Sequence, residues 1–363
     1  MSAKPQDVLP PFKDLPMLPP RVYSHRRPDG AWIVRQLYEL GDMHRSIAHL
    51  FEQRAGEYPA RTLLAQRTQE GPWRKITYGE ANSAANAIAQ ALLDRGMGPD
   101  TPLLIISGNS IEHGVMMLGA MKARVPVAPV SVAYSLFSQD HGKLKHVFAL
   151  TKPKMVFADV GPVYAKALKV LAGEGVEVVT VAPAPDLAQT SYQSLLETNA
   201  GPAVRASMEK IDHDTVGKYL FTSGSTGMPK GVIQTHGMMC AVIAGQEALR
   251  SEPQDPNEIP EALEWMPWNH ISAGNIGFNG ALNAGGAIYL DNGKPIPGMF
   301  EETIRNLREV SPVVFGSAPI AFGMLAGAME KDPALRDKFF SKLRYMGYGG
   351  ATLSNDISER MQA

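Results

Sequence analysis

The chain reads as an α/β protein with two lobes of mostly parallel sheet flanked by helices. Three observations predict this. Continuous apolar strands alternate with helical segments from residue 62 onward, as in a sheet covered on both faces. The 363 residues exceed what one simple core holds, so the chain should divide. A polar, loop-rich stretch at 183–214, with Pro183, Pro185 and Pro202, offers the division.

Residues 1–30 are rich in Pro and charge and lack periodicity, so they read as an extended arm. The first lobe is assigned to 31–182. Ile47, Leu50 and Phe51 stand at helical spacing within 42–57. Leu63–Ala65 and Trp73–Ile76 read as strands, and Ala81–Arg95 as an Ala-rich helix. Pro102–Ile106 is a buried strand, followed by a helix over Ser110–Lys122 and a strand over Val125–Val130. A helix near 138–151, the strand Met155–Ala158, a helix near 161–173 and the strand Val176–Val181 close this lobe. The second lobe, 215–363, has strands at Leu263–Met266, Ala287–Leu290, Val313–Phe315 and Leu343–Met346. Ser354 is placed to cap a helix over Asn355–Gln362.

The densest chemical signal is the decapeptide Thr222-Ser223-Gly224-Ser225-Thr226-Gly227-Met228-Pro229-Lys230-Gly231, directly after the apolar run Tyr219-Leu220-Phe221. Glycines let the backbone approach a ligand closely, and successive N–H groups in such a turn form an anion nest. Four hydroxyls add donors and Lys230 adds a positive charge. That set suits a triphosphate or pyrophosphate. It departs from the helix-opening loop G-x-x-x-x-G-K-[ST], because Lys230 does not follow Gly227 directly and Gly231 stands where a hydroxyl should be. Val232-Ile233-Gln234-Thr235 then reads as a strand, so the loop should join two strands of a hairpin. A generic Gly/Ser decamer is a surface turn; the residue order, the terminal Pro-Lys-Gly and the flanking strands make this one too particular for that.

These residues resemble the phosphate-loop signature of the AMP-forming adenylating enzymes, among them acyl- and aryl-CoA synthetases and peptide-synthetase adenylation domains. Further segments resemble the same family: Ile76-Thr77-Tyr78-Gly79-Glu80, Gly119–Ala123 with Val125–Val130, Trp268-Asn269-His270, and Tyr348-Gly349-Gly350-Ala351-Thr352-Leu353-Ser354. Pro10–Pro16, Ser107-Gly108-Asn109-Ser110-Ile111-Glu112-His113, Ala128–Ser135 and Met266–His270 are most similar to bacterial feruloyl-CoA synthetases. The resemblance covers essentially the whole chain. It implies the fold of the large N-terminal domain of acyl-CoA synthetases.

It also implies a two-step reaction. A carboxylate attacks the α-phosphorus of ATP to give acyl-AMP, and the coenzyme A thiol then displaces AMP. Thr222 to Gly227 would cradle the β- and γ-phosphates, Lys230 would neutralise them, and Thr222 would approach Mg²⁺. Gly349, Gly350, Ala351 and Thr352 would lie against adenine. His270 would orient the acid or shield the acyl-AMP. Trp268, Asn269, Gly274, Phe315, Gly316 and Tyr348 would line the acid site, where small and aromatic walls suit a flat ring such as ferulate.

The family pattern continues with Tyr-Gly-x-Thr-Glu, whose Glu holds Mg²⁺, and ends in a small mobile domain carrying a lysine. Neither is found here, so the chain is expected to be most of a large domain, nearly inactive without its C-terminal partner domain. Charge excludes other classes: 35 basic against 36 acidic residues, net −1, give no field for nucleic acid or membrane surfaces. The single cysteine, Cys240, excludes an internal disulfide and sits in an apolar context that predicts burial. No apolar run reaches the roughly 18 residues of a membrane helix, and no signal core opens the chain, so the cytoplasm is the expected location. A homodimer is left open. Two other functions compete: an amino-acid adenylation domain, which would need an Asp in Trp268–Asn283 to pair the substrate ammonium, and a nucleotide- or acyl-binding fragment without catalysis.

Overall fold

The computed structural model describes residues 14–68, 71–223 and 227–363. Gly224, Ser225 and Thr226 of the expected phosphate cradle therefore lie outside the described residues, as do Pro10 to Lys13 of the N-terminal resemblance. The chain divides into two compact units. The larger is Pro20–Leu249 with Met266–Ala287; the smaller comprises Met1–Pro19, Arg250–Trp265 and Ile288–Ala363.

The larger unit opens with an antiparallel hairpin, β1 (Val22–Arg26) and β2 (Trp32–Gln36), turned by Gly30 at φ +85°. Helix α1 (Ile47–Glu57) starts where the Ser46 hydroxyl accepts from the His49 N–H, and it buries the expected Ile47, Leu50 and Phe51. Strands β3 (Thr62–Arg67) and β4 (Trp73–Thr77) form an antiparallel pair. Thr77 and Glu80 make a reciprocal capping box that opens α2 (Tyr78–Asp94), so the early Thr-Tyr-x-Glu segment is at least a helix start. After β5 (Leu103–Ile105), Ser110 caps α3 (Ile111–Lys122). Then come β6 (Val127–Pro129), the short α4 (Ala133–Leu136), α5 (Gly142–Thr151), β7 (Met155–Val160), α6 (Gly161–Ala172) and β8 (Glu177–Ala182). Residues 183–214 are not structureless: they hold β9 (Thr190–Ser191), α7 (Tyr192–Leu196) and α8 (Pro202–Met208).

Next is the hairpin of β10 (Val216–Ser223) and β11 (Pro229–Thr235), antiparallel as the sequence predicts. The sequence opens a second lobe here. In the structure both strands instead join the sheet of the first, because Lys218 pairs in parallel with Val127 of β6. The resulting order is β11-β10-β6-β5-β7-β8-β9, parallel throughout except at the β10–β11 edge. Alternate residues supply its two faces. Leu104, Ala128, Val156 and Val178 join Leu144, Val147 and Leu168 in one core, while Leu103, Val127 and Phe157 are buried from the other side. Thr235 caps α9 (His236–Ala248), which begins at a fully buried His236.

In the smaller unit, β12 (Glu261–Glu264) is followed later by β13 (Ala287–Leu290), whose first residue still belongs to the larger unit. Between them, in the larger unit, a π-helical turn (Ser272–Gly277) runs into α10 (Phe278–Asn283). The smaller unit continues with α11 (Phe300–Leu307), β14 (Val314–Ser317), α12 (Pro319–Met329), α13 (Pro333–Phe340), β15 (Tyr345–Tyr348) and α14 (Asn355–Gln362). Strands β14 and β15 pair in parallel. Ser354 caps α14 through the Ile357 N–H, as predicted. Among the described residues no helix is long and apolar enough to cross a membrane.

Candidate functional site

The β10–β11 hairpin owes its geometry to strand register. Thr222 lies opposite Lys230 and Ser223 opposite Pro229, so the decapeptide folds back on itself with a hydroxyl and an ammonium-bearing residue facing across its mouth. Thr222 and Lys230 are both exposed. Gly227 has φ +83°, and a Cβ there would meet nothing within 4 Å. Its left-handed backbone is one that glycine adopts readily. No helix dipole contributes, since β11 and not a helix follows the loop.

Trp268, Asn269 and His270 follow the turn at Pro267, where the His270 N–H donates to the Pro267 carbonyl at 3.0 Å. Asn109 brackets this segment: its Nδ2 donates to the Met266 carbonyl and its Oδ1 accepts the Trp268 N–H, both at 2.9 Å. The Trp268 ring is buried, edge-on to His113 at 5.0 Å and to Phe278 at 5.0 Å. The two segments that resemble one subgroup, Ser107–His113 and Met266–His270, are thus in direct contact. Burial pushes the His113 imidazole down to about 4, against the bond its Nδ1 makes to the Gly108 carbonyl; Lys218 adds to the depression. Trp268, expected to line an acid site, is almost wholly buried, and Asn269 beside it is half-buried.

His270 is exposed, and its Nδ1 lies 2.7 Å from the Ser272 hydroxyl. Gly274 is buried; its N–H donates to the His270 carbonyl at 2.8 Å, and a Cβ on it would fall 2.0 Å from the Trp268 carbonyl oxygen. The π-helical turn therefore closes down on Trp268 only because residue 274 lacks a side chain.

Two residues beneath this turn escaped the sequence reading. Lys218 is fully buried, and its Nζ donates to the Gly274 carbonyl at 2.5 Å and to Asn275 Oδ1 at 3.2 Å, with the Phe278 ring 5.8 Å away. Burial pulls its ammonium down to about 7. Asn275 Nδ2 in turn donates to Gln234 Oε1 at 3.0 Å. A lysine inside the apolar run Gly217–Phe221 was the available signal.

Of the residues predicted for adenine and acid in the smaller unit, Phe315, Gly316 and Tyr348 lie on its β14–β15 pair, and Gly349 to Thr352 follow β15. Gly316 is exposed opposite Gly347, and Ser317 lies opposite Tyr348. Tyr348, Gly349, Gly350, Ala351 and Thr352 are all exposed, Gly350 at φ +84°, with open space beside Gly349 and Gly350. Phe315 differs: its ring is buried between Phe322 and Phe339 and belongs to the core of that unit. Cys240 is buried as expected, its thiol pushed up to about 12 by burial. Among the described residues no cluster of three or more His, Cys, Asp or Glu could hold a metal. Thr222 would offer Mg²⁺ one hydroxyl, which fits an ion carried mainly by phosphate oxygens.

The model of the family described as AMP-binding enzyme matches residues 51–363. The chain is 25% identical over 292 residues to 4-coumarate–CoA ligase-like 9 of Arabidopsis thaliana, covering 79% of this chain and 47% of that protein. It is 28% identical over 199 residues to bacitracin synthase 3 of Bacillus licheniformis, 53% of this chain and 3% of that one. The chain spans less than half the length of these curated relatives. The solved structure of VinN with L-aspartate superimposes with a TM-score of 0.67 at 16% identity, covering 89% of this chain and 74% of that one, which shows a shared fold. The chain belongs to the AMP-binding enzyme family.

Proposed function

We propose that this chain is the nucleotide- and acid-binding part of an ATP-dependent acid:CoA ligase that adenylates an aromatic acid of the hydroxycinnamate class, ferulate foremost. The observation that carries the reading is the register of the β10–β11 hairpin, which sets Thr222 across from Lys230 at the mouth of the Gly/Ser loop. In this reading the loop binds the polyphosphate, and Lys230 and Thr222 stabilise charge as the α-phosphorus is attacked. Mg²⁺, shared between Thr222 and the phosphates, would supply further charge neutralisation. His270, exposed and held by Ser272, orients the carboxylate. Gly349 to Thr352 receive the adenine. Coenzyme A serves as the second substrate.

The hydroxycinnamate class is supported by the contact between the Ser107–His113 and Met266–His270 segments and by the similarity to a 4-coumarate–CoA ligase-like protein. A second reading, amino-acid adenylation for a carrier protein, draws on the similarity to bacitracin synthase 3. Against it, no Asp or Glu occurs in Trp268–Asn283 to pair a substrate ammonium. ATP–pyrophosphate exchange by the full-length protein, run with ferulate, 4-coumarate, fatty acids and amino acids, tests the choice. Exchange that depends on hydroxycinnamates, followed by thioester formation with coenzyme A, is the expected result. Exchange that depends only on amino acids would replace the first reading with the second.

A further inference from the structure

Both strands of the phosphate hairpin reach the same residue of the π-helical turn. From β10, Lys218 Nζ donates to Asn275 Oδ1 at 3.2 Å and to the adjoining Gly274 carbonyl at 2.5 Å. From β11, Gln234 Oε1 accepts from Asn275 Nδ2 at 3.0 Å. Lys218, Gln234 and Asn275 are all buried, at 0%, 8% and 7% exposure. The turn is pinned from above as well, because Gly274 N–H bonds to the His270 carbonyl and leaves no room for a side chain against Trp268.

A buried ammonium in a strand costs desolvation energy unless its donors are used. Two donors of Lys218 are spent on oxygens of the turn, and the Phe278 ring lies 5.8 Å from Nζ. A leucine would fill the same strand position without that cost, but it would leave Asn275 Oδ1 without this donor. The oxygens bonded to Nζ are a carbonyl and an amide, not a carboxylate, and burial lowers the ammonium to about 7.

We propose that Lys218 and Gln234 are positioning residues that clamp Asn275, so that the phosphate hairpin and the turn carrying His270, Ile271 and Ile276 move as one body. The clamp lets occupancy of the loop by a polyphosphate anion be felt at the exposed face of the turn, which under the proposed function meets the acid. The coupling half of the inference rests on that function; the clamp itself does not.

Hydrogen exchange followed by mass spectrometry on the full-length protein tests both halves. The variants are Lys218→Met, which keeps the aliphatic stem, and Gln234→Leu, which approaches from the other strand. Without ligand, amides of 272–277 should exchange at least about tenfold faster in either variant, while β5 and β7 stay within about twofold of wild type. Two variants from different strands guard against the failure of one to fold. An unchanged rate in the turn in either folded variant would overturn the clamp. With Mg-pyrophosphate added, exchange at 227–231 should slow in wild type and in the variants, but exchange at 270–277 should slow only in wild type. Equal slowing of the turn in the variants would overturn the coupling. No slowing anywhere in wild type with Mg-ATP or Mg-pyrophosphate would instead overturn the nucleotide-binding function, and the ligand-free rates would still judge the clamp.

Discussion

Thr222 and Lys230 face one another across the two strands of a single hairpin, eight residues apart in sequence and paired in register. A charge so placed acts on whatever anion enters the loop between them. Lys230→Ala should therefore lower the rate constant kcat/KM for ATP in pyrophosphate exchange by roughly ten- to hundredfold, the range of one lost charge-assisted hydrogen bond. Because Lys230 is exposed, the melting temperature should not change measurably. A variant with wild-type ATP kinetics would remove Lys230 from the site.

Lys218 predicts a pH-dependent stability. Its folded value, about 7, lies below its ordinary value of 10.5. Between these limits the unfolded chain binds more protons than the folded one, so this group makes stability rise with pH above about 7 and contributes no slope below it. His113 and His236 face the same interior. Burial pushes both down to about 4, so they stay neutral across this window and add little slope there. Urea unfolding between pH 7 and 8.5 should show a slope steeper in wild type than in Lys218→Met, by up to about 1.4 kcal/mol per pH unit. Parallel curves would mean that the amine does not titrate in this range.

Gly274→Ala should destabilise the larger unit. A Cβ there lies 2.0 Å from the Trp268 carbonyl oxygen, a backbone atom that cannot swing aside. A cost of about 1–3 kcal/mol, read as a lower urea midpoint, is the expected range for forced overpacking. Gly98→Ala is the control, since nothing lies within 4 Å of its Cβ; it should stay within about 0.5 kcal/mol.

Cys240 should be inert in the folded protein. It is fully buried, and burial raises its thiol to about 12. A thiol reagent at pH 8 should leave it unlabelled for as long as the fold holds and label it promptly in urea. Fast labelling of the native protein would show that α9 opens readily.

Features set by near neighbours along the chain were legible beforehand. The Ser354 cap is a bond to a residue three positions on, so the residue types announce it. The β10–β11 hairpin followed from two strand-forming runs around a Gly-rich turn, and the register then placed Thr222 against Lys230 with no further choice. The segment Gly349–Thr352, singled out for its small residues, is exposed. Phe315 was not legible in this way. Its neighbours suggested a pocket wall, but its ring turns into a core formed with Phe339, 24 positions later, and strand alternation alone does not say which face is the core.

The local order of residues thus announced most strands of the large sheet, several helix starts and a loop rich in glycines and hydroxyls, but not the β1–β2 hairpin or helices α7 and α8. It did not settle that β10 pairs with β6, that Asn109 brackets Trp268, or that Lys218 reaches Asn275. Each of these joins groups dozens of residues apart, and the energy that brings them together is burial of the whole sheet, not any preference of the residues concerned. A lysine in an apolar strand shows that something must accept its donors; only the packed chain shows that the acceptor is the turn beneath His270.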